Sequence, residues 1–212
     1  METAKYIISD YLEVLSSKEP TPGGGGVAAL AASLGVSLAA MVGSLTVGKE
    51  KYKEYEEDVI AIMEKAVKLQ KDFLSLADDD AKAFKPLSKA YSMPRKTDEE
   101  KAARNEVMQK ALVEAAEVPL GLIRTCSSTI PLFEELLTKG STLAISDVAV
   151  GARMVTAAAE SALLNVYINT KLFKDKKLGE EINKEAEALI DEIFNKLNPV
   201  VVAVMERVKL NG

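Results

Sequence analysis

The 212-residue chain has no histidine, no tryptophan and a single cysteine. Without histidine, neither a Ser-His-Asp nor a Cys-His nucleophile can be assembled, and the HExxH metal motif is excluded. Acid–base work near neutral pH then falls to Asp, Glu, Lys, Tyr or Cys126. One cysteine rules out an internal disulfide, and no zinc-type Cys/His spacing exists, so no metal is expected. A basic excess is also missing. With 27 Lys and Arg against 32 Asp and Glu, the net charge of −5 argues against nucleic acid as the main partner. The opening METAKYIISDYLE carries charges inside its apolar run and does not read as a signal peptide, which makes the cytoplasm the expected location. Hydrophobic residues at 48% and charged ones at 28% are the proportions of an ordinary globular protein, and one domain over residues 1–212 is expected.

Strand-like alternation is scarce, and helical spacing dominates. Tyr6–Ser16 carries Ile7, Ile8, Tyr11, Leu12 and Leu15 on one face. From Tyr55 a long helix is marked by Val59, Ile62, Ala66, Leu69, Phe73 and Leu76, with Pro86 and Pro94 expected at its bend and end. Thr97-Asp98-Glu99-Glu100 reads as a capping box opening the next helix, which Pro119 is expected to kink. Ser146 is expected to cap a helix running to about Leu172, and a last helix covers roughly 179–209. The pattern predicts an all-α, orthogonal or up-down bundle of six to seven helices around a central helix of small residues.

That central helix follows the most unusual stretch, PTPGGGGVAALAASLGVSLAAMVGSLTVGKEKY, in which Val27 to Gly48 carries no charge. Gly43 to Glu50 nearly matches the phosphate-binding loop GxxxxGK[ST]. Glu50, however, offers no hydroxyl to Mg²⁺, and a helix precedes the loop where a strand is required. A membrane span fits the length but not the Ala, Gly and Ser content, and no second comparable segment stands out; no membrane association is expected. Small residues instead suit a core helix that neighbours approach closely. Gly23, Gly24, Gly25 and Gly26 read either as a flexible turn or as bare backbone N–H groups offered to a ligand at a helix start.

Of the three aspartates in Asp78-Asp79-Asp80, only Asp80 falls in line with Leu69, Phe73, Leu76 and Phe84 on the apolar seam. A carboxylate there must find a partner or raise its own pKa, which suits either a structural buried aspartate or a proton donor and acceptor. Asn165 and Asn169 lie one turn apart and face the same way. Asp147 shares their helix but precedes Asn165 by five turns, roughly 27 Å, so one small ligand cannot touch both.

Taken in order, Pro22-Gly-Gly-Gly-Gly26-Val-Ala-Ala-Leu, Leu45-Thr-Val-Gly-Lys49 through Tyr52, Asp78-x-Asp80-Ala-x-Ala-Phe84, Glu117-Val-Pro119, Ser146-Asp147-Val and Asn165-Val-x-x-Asn169 form an ordered set. The set resembles the formiminotetrahydrofolate cyclodeaminase / methenyltetrahydrofolate cyclohydrolase family over nearly the whole chain. One departure is Gly26, where the family pattern leads us to expect Ser. The resemblance implies an all-helical homodimer binding a reduced folate, with no cofactor beyond that substrate. It implies closure of 5-formiminotetrahydrofolate to 5,10-methenyltetrahydrofolate with release of ammonia, or, as the alternative, interconversion of the methenyl and 10-formyl forms. On this resemblance Asp80 would be the acid/base and Gly23–Gly26 would lie against the pterin or its benzoyl tail. Lys49, and more weakly Lys51, would pair with glutamate carboxylates, while Asn165, Asn169 or Asp147 would bond the pterin edge. A catalytically silent folate-binding domain and a membrane-associated helical protein remain as other readings.

Overall fold

The computed structural model describes residues 3–5 and 7–209. Seven α-helices occur among them: α1 (Ile8–Leu15), α2 (Gly24–Ser44), α3 (Glu56–Ser92), α4 (Asp98–Ser127), α5 (Ile130–Lys139), α6 (Ile145–Thr170) and α7 (Lys176–Val208). Short 3₁₀ turns cover Thr3–Lys5, Glu50–Tyr55 and Thr142–Ala144, and no strand is present among the described residues. The all-α bundle expected from the sequence is thus what forms. Tyr6, at the expected start of the first helix, lies outside the described residues.

The central helix is α2, which packs along both α3 and α6. Ala28, Ala29, Ala32, Val36, Ala39 and Val42 are buried there. Small side chains let the neighbours come close enough for backbone to meet backbone. A Cβ on Gly35 would stand 2.8 Å from the Gly151 carbonyl oxygen, and one on Gly151 would stand 2.7 Å both from the Gly35 carbonyl oxygen and from Cε1 of Phe133. Gly24 meets Asn165 while Gly35 meets Gly151, so α2 and α6 run antiparallel. On the opposite side, the α3 seam of Val59, Ile62, Ala66, Leu69, Phe73 and Ala77 is buried. Phe73 is fully enclosed, a burial that contributes roughly 1.5–3 kcal/mol.

Helix ends follow local chemistry in part. Thr97 accepts from the Glu100 N–H, and the Glu100 carboxylate accepts from the Thr97 N–H, which completes the expected capping box. Asp175 caps α7 through the Leu178 N–H. Several expectations are corrected. Ser146 does not cap α6: the turn Thr142–Ala144 leads into a helix whose N-cap is Ala144, leaving Ser146 and Asp147 in the first turn. The end of α3 at Ser92, just ahead of Pro94, is as expected, while Pro86 lies inside that helix and Pro119 inside α4, which runs on to Ser127. Tertiary packing on both sides of each proline outweighs the one backbone bond it forfeits. The glycines are not a loop before the helix, since Gly24, Gly25 and Gly26 form the first turn of α2 itself. A second segment comparable to the uncharged one also exists: Thr142–Thr170, like Gly24–Ser44, is long and apolar enough to cross a membrane, and the most apolar stretch of each is 56% buried within the fold.

Candidate active site

Asp80 reaches from the middle of α3 to the start of α2, where its Oδ2 accepts the Gly26 N–H at 3.1 Å. Two effects oppose each other at this carboxyl. Burial raises its pKa, the donated N–H of Gly26 lowers it, and burial prevails, so the net shift is upward. Close approach requires the glycine next door. A Cβ on Gly25 would overlap Asp80 Oδ1, 2.5 Å from its Cγ and 2.8 Å from Oδ2. A side chain at that position and the carboxylate cannot both occupy the space.

Asp80 opens into a cavity of about 220 Å³ bounded by Pro20, Thr21, Gly23–Gly25, Phe84, Asn165 and Asn169, with Ala83, Ala115 and Ile168 completing the wall. The Asn169 amide donates to the carbonyls of Ala115 (3.0 Å) and Asn165 (2.8 Å), which uses both of its hydrogens and leaves its oxygen as an acceptor. The Asn165 amide donates to the Ser161 carbonyl at 3.0 Å. The cavity therefore combines one carboxyl of raised pKa, two carboxamide acceptors, and apolar walls from Phe84 and Ile168. A flat, nitrogen-rich ring with several N–H donors matches that arrangement.

The structure brings Gly23, Gly24, Gly25, Asp80, Asn165 and Asn169 together around this cavity, with Gly26 behind it as the hydrogen-bond donor. Lys49 and Asp147 it does not bring there. Lys49 follows the far end of α2, about 30 Å from Gly24 by helix rise. Asp147 lies in the first turn of α6, which the antiparallel pairing places at that same far end. Tyr52 belongs to this end also, its hydroxyl accepting the Thr142 N–H at 2.9 Å and paired with the Thr142 hydroxyl at 3.2 Å. Those two bonds, the side-chain one foremost, lower the Tyr52 pKa to about 8. Cys126 is fully buried and its thiol is held far above the ordinary value by burial, so no proton chemistry falls to it. The other aspartates of the triplet have separate work: Asp79 pairs with Lys82 at 2.7 Å, and Asp78 accepts from the Thr3 N–H and hydroxyl, both at 2.7 Å.

Sequence reasoning missed Phe84, Ile168 and Thr21 as wall residues. Phe84 is one turn beyond Asp80 and Ile168 lies three residues after Asn165, so helical spacing from the two named side chains points to both. Thr21 had no such signal.

In this helical bundle a half-buried carboxyl of raised pKa meets the glycine start of the central helix beside a small cavity. The family follows from comparison with known proteins. Residues 7–188 match the family model described as formiminotransferase-cyclodeaminase, and the chain belongs to that family. It is 43% identical over 185 residues to a methenyltetrahydrofolate cyclohydrolase of Methylorubrum extorquens, which covers 87% of this chain and 89% of that protein. Against the formimidoyltransferase-cyclodeaminase of Gallus gallus it is 30% identical over 197 residues. That match covers 93% of this chain but 36% of the relative, so the chain spans about a third of the bifunctional protein's length. The crystal structure of a formiminotetrahydrofolate cyclodeaminase from Thermotoga maritima superposes with a TM-score of 0.81 at 27% identity, covering 96% of this chain and all of that one.

Proposed function

We propose that this chain is a folate one-carbon enzyme that hydrolyses 5,10-methenyltetrahydrofolate reversibly to 10-formyltetrahydrofolate. The observation that carries the proposal is Asp80, a carboxyl of raised pKa at the rim of a cavity lined by two carboxamide acceptors. Ionised Asp80 takes a proton from water as its oxygen bonds to the bridge carbon, giving a tetrahedral carbinolamine. The bond from that carbon to N5 then breaks, N5 regains a proton, and the formyl group stays on N10. Water enters and one proton leaves, so the balance calls for no redox partner. Asn165 and Asn169 would accept from the pterin N–H donors, and Phe84 would lie along its ring.

The motifs belong to the domain shared by both activities, and the same residues would serve cyclodeamination of 5-formiminotetrahydrofolate: N10 attacks the formimino carbon and Asp80 protonates the departing ammonia. The Thermotoga relative supports that second reading, whereas the 43% identity along nearly the full length of a cyclohydrolase favours the first. Purified protein mixed with 5,10-methenyltetrahydrofolate should bleach the methenyl chromophore faster than buffer. Mixed with 5-formiminotetrahydrofolate it should generate that chromophore only if the second reading holds. Silence in both, with folate still bound, would make this a binding protein.

The expected assembly is a homodimer through the outer face of α1 and α2. Ile8 is 78% exposed and Leu34 53% exposed, and Val27, Met41 and Leu45 extend the strip with no charge anywhere on α2. An uncharged face is complementary to its own copy about a two-fold axis. Antiparallel pairing of the two α2 helices would set the Lys49 end of one copy beside the Asp80 end of the other, which gives the far-end motif a place in the site. Light scattering should report twice the 22.8 kDa chain mass, and Leu34→Glu should halve it. A monomeric wild type would end this part of the proposal.

A further inference from the structure

Collapse of the carbinolamine moves two protons: N5 gains one while the hydroxyl on the bridge carbon loses one. Asp80, protonated by the attacking water, can supply the first. A second acceptor lets both transfers occur together, yet the described wall of the cavity holds no titratable side chain besides Asp80. A prepared acceptor does exist at the far end of α2. The Tyr52 oxygen receives the Thr142 N–H at 2.9 Å and pairs with the Thr142 hydroxyl at 3.2 Å, and the Lys51 ammonium stands 5.2 Å from the ring centre. The Thr142 hydroxyl first, then its N–H, with smaller help from Lys51 and Ser141, outweigh burial and bring the phenol down to about 8. Tyr55 and Tyr167 go the other way, pushed up by Glu54 and Glu187.

The outer face of α2 sets where this group falls in an assembly of two copies. Val27, Ala31, Leu34, Leu38, Met41 and Leu45 are spaced 4-3-4-3-4 along it, a pattern that reads the same from either end. Val27, Leu34, Met41 and Leu45 are exposed, and Ala31 and Leu38 are half-buried. A two-fold axis midway between Leu34 and Leu38 sets Val27 against Leu45 of the other copy and Ala31 against Met41. The same register sets Gly24, on the rim of the Asp80 cavity, against Gly48. At Gly48 a φ of +77° turns the chain off the α2 axis towards Tyr52, and a Cβ there would meet nothing within 4 Å. The surface that would face the glycine rim is therefore open.

We propose that the Tyr52 hydroxyl of one copy is the second proton-transfer group of the Asp80 cavity in the other, so that each site is built from two chains. This inference rests on the hydrolytic reading and on the homodimer. As phenolate, Tyr52 takes the hydroxyl proton of the carbinolamine while Asp80 returns its proton to N5. The bond from the bridge carbon to N5 breaks and the formyl carbonyl forms. Tyr52 then releases to solvent the one proton that the hydrolysis yields.

Hybrid dimers test it. Asp80→Asn and Tyr52→Phe chains with different affinity tags are co-expressed, and the mixed dimer is isolated through both tags. If sites are shared, one site of the hybrid carries both changes and the other neither. The hybrid should then regain about half of wild-type turnover from parents that each retain about a hundredth. A hybrid no more active than its parents, or full activity in Tyr52→Phe, would overturn the proposal. Should Tyr52→Phe fail to fold, Thr142→Val keeps the phenol and removes the foremost cause of its shift. Wild-type kcat should rise through about pH 8, and in Thr142→Val that rise should move to higher pH; an unmoved rise would refute the role of Tyr52. The register is read without catalysis. On mild oxidation Ala31→Cys/Met41→Cys should crosslink two chains, and neither single variant should; Cys126 is fully buried and takes no part. An active protein without that crosslink would sink this inference alone. A crosslinked protein inert toward both folates would end the hydrolytic reading and the role of Tyr52 with it.

Discussion

Asp80→Asn is expected to lower turnover about 10²-fold or more, the range for losing a general acid or base. The replacement retains an oxygen to accept the Gly26 N–H, so the join between α3 and α2 survives while the titratable group disappears. Stability should move the other way. Asp80 has a folded-state pKa above its ordinary 3.8 because burial disfavours the ionised form. A group shifted upward contributes its full stability below its unfolded value and loses it as pH rises through its folded value. The wild type therefore gives up stability between those two values that the asparagine variant keeps. Its melting temperature should exceed that of the wild type at neutral pH, and the gap should close below pH 3.8. In the hydrolytic direction the acid limb of the kcat/KM profile should likewise titrate above 3.8 and be absent from any residual activity of the variant. Wild-type turnover in Asp80→Asn would remove this residue from the chemistry.

Gly25→Ala should be nearly as severe, for a steric reason. The added methyl would stand 2.5 Å from Asp80 Cγ, where neither backbone can yield without unseating a helix. The carboxylate must swing aside and give up the Gly26 N–H. We expect activity to fall about 10²-fold, as for losing the acid/base outright, with overpacking costing about 1–3 kcal/mol. Gly23→Ala is the control, since its Cβ would meet nothing closer than the Pro20 carbonyl oxygen at 4.0 Å; it should remain folded and active. In Gly25→Ala/Asp80→Ala the overlap is gone, so melting temperature should recover while turnover does not. Full activity in Gly25→Ala would mean that the contact between this turn and Asp80 has no part in the site.

Much of this was legible in the sequence, for identifiable reasons. Amphipathic spacing in α3 gave both the helix and the oddity of a carboxylate on its buried side, because a 3.6-residue period is local information. The ordered motifs gave the family. The start of α2 was not legible: three glycines disfavour a helix by about 1 kcal/mol each relative to alanine, and only the carboxylate of Asp80, from a distant helix, shows why they begin one. Helical rise already set Asp147 roughly 27 Å from Asn165, but which of the two shares an end with Asp80, and that Lys49 lies at the other, depends on how α2, α3 and α6 pack. Two motifs joined by one straight helix are kept apart by its length, however close they stand in the chain.

The meeting of Gly35 with Gly151 has a bearing on ligand fit that its location conceals. It lies about 16 Å along α2 from Gly24 by helix rise, outside the wall of the Asp80 cavity. Yet α2 and α6 are rigid rods that touch there backbone to backbone, and the glycine rim and the carboxamides of Asn165 and Asn169 ride on their far portions. The crossing thus works as the pivot of a pair of calipers: a methyl group inserted at the pivot opens the jaws. A side chain at either glycine is therefore expected to widen the gap between Gly24 and Asn165 without itself entering the cavity wall.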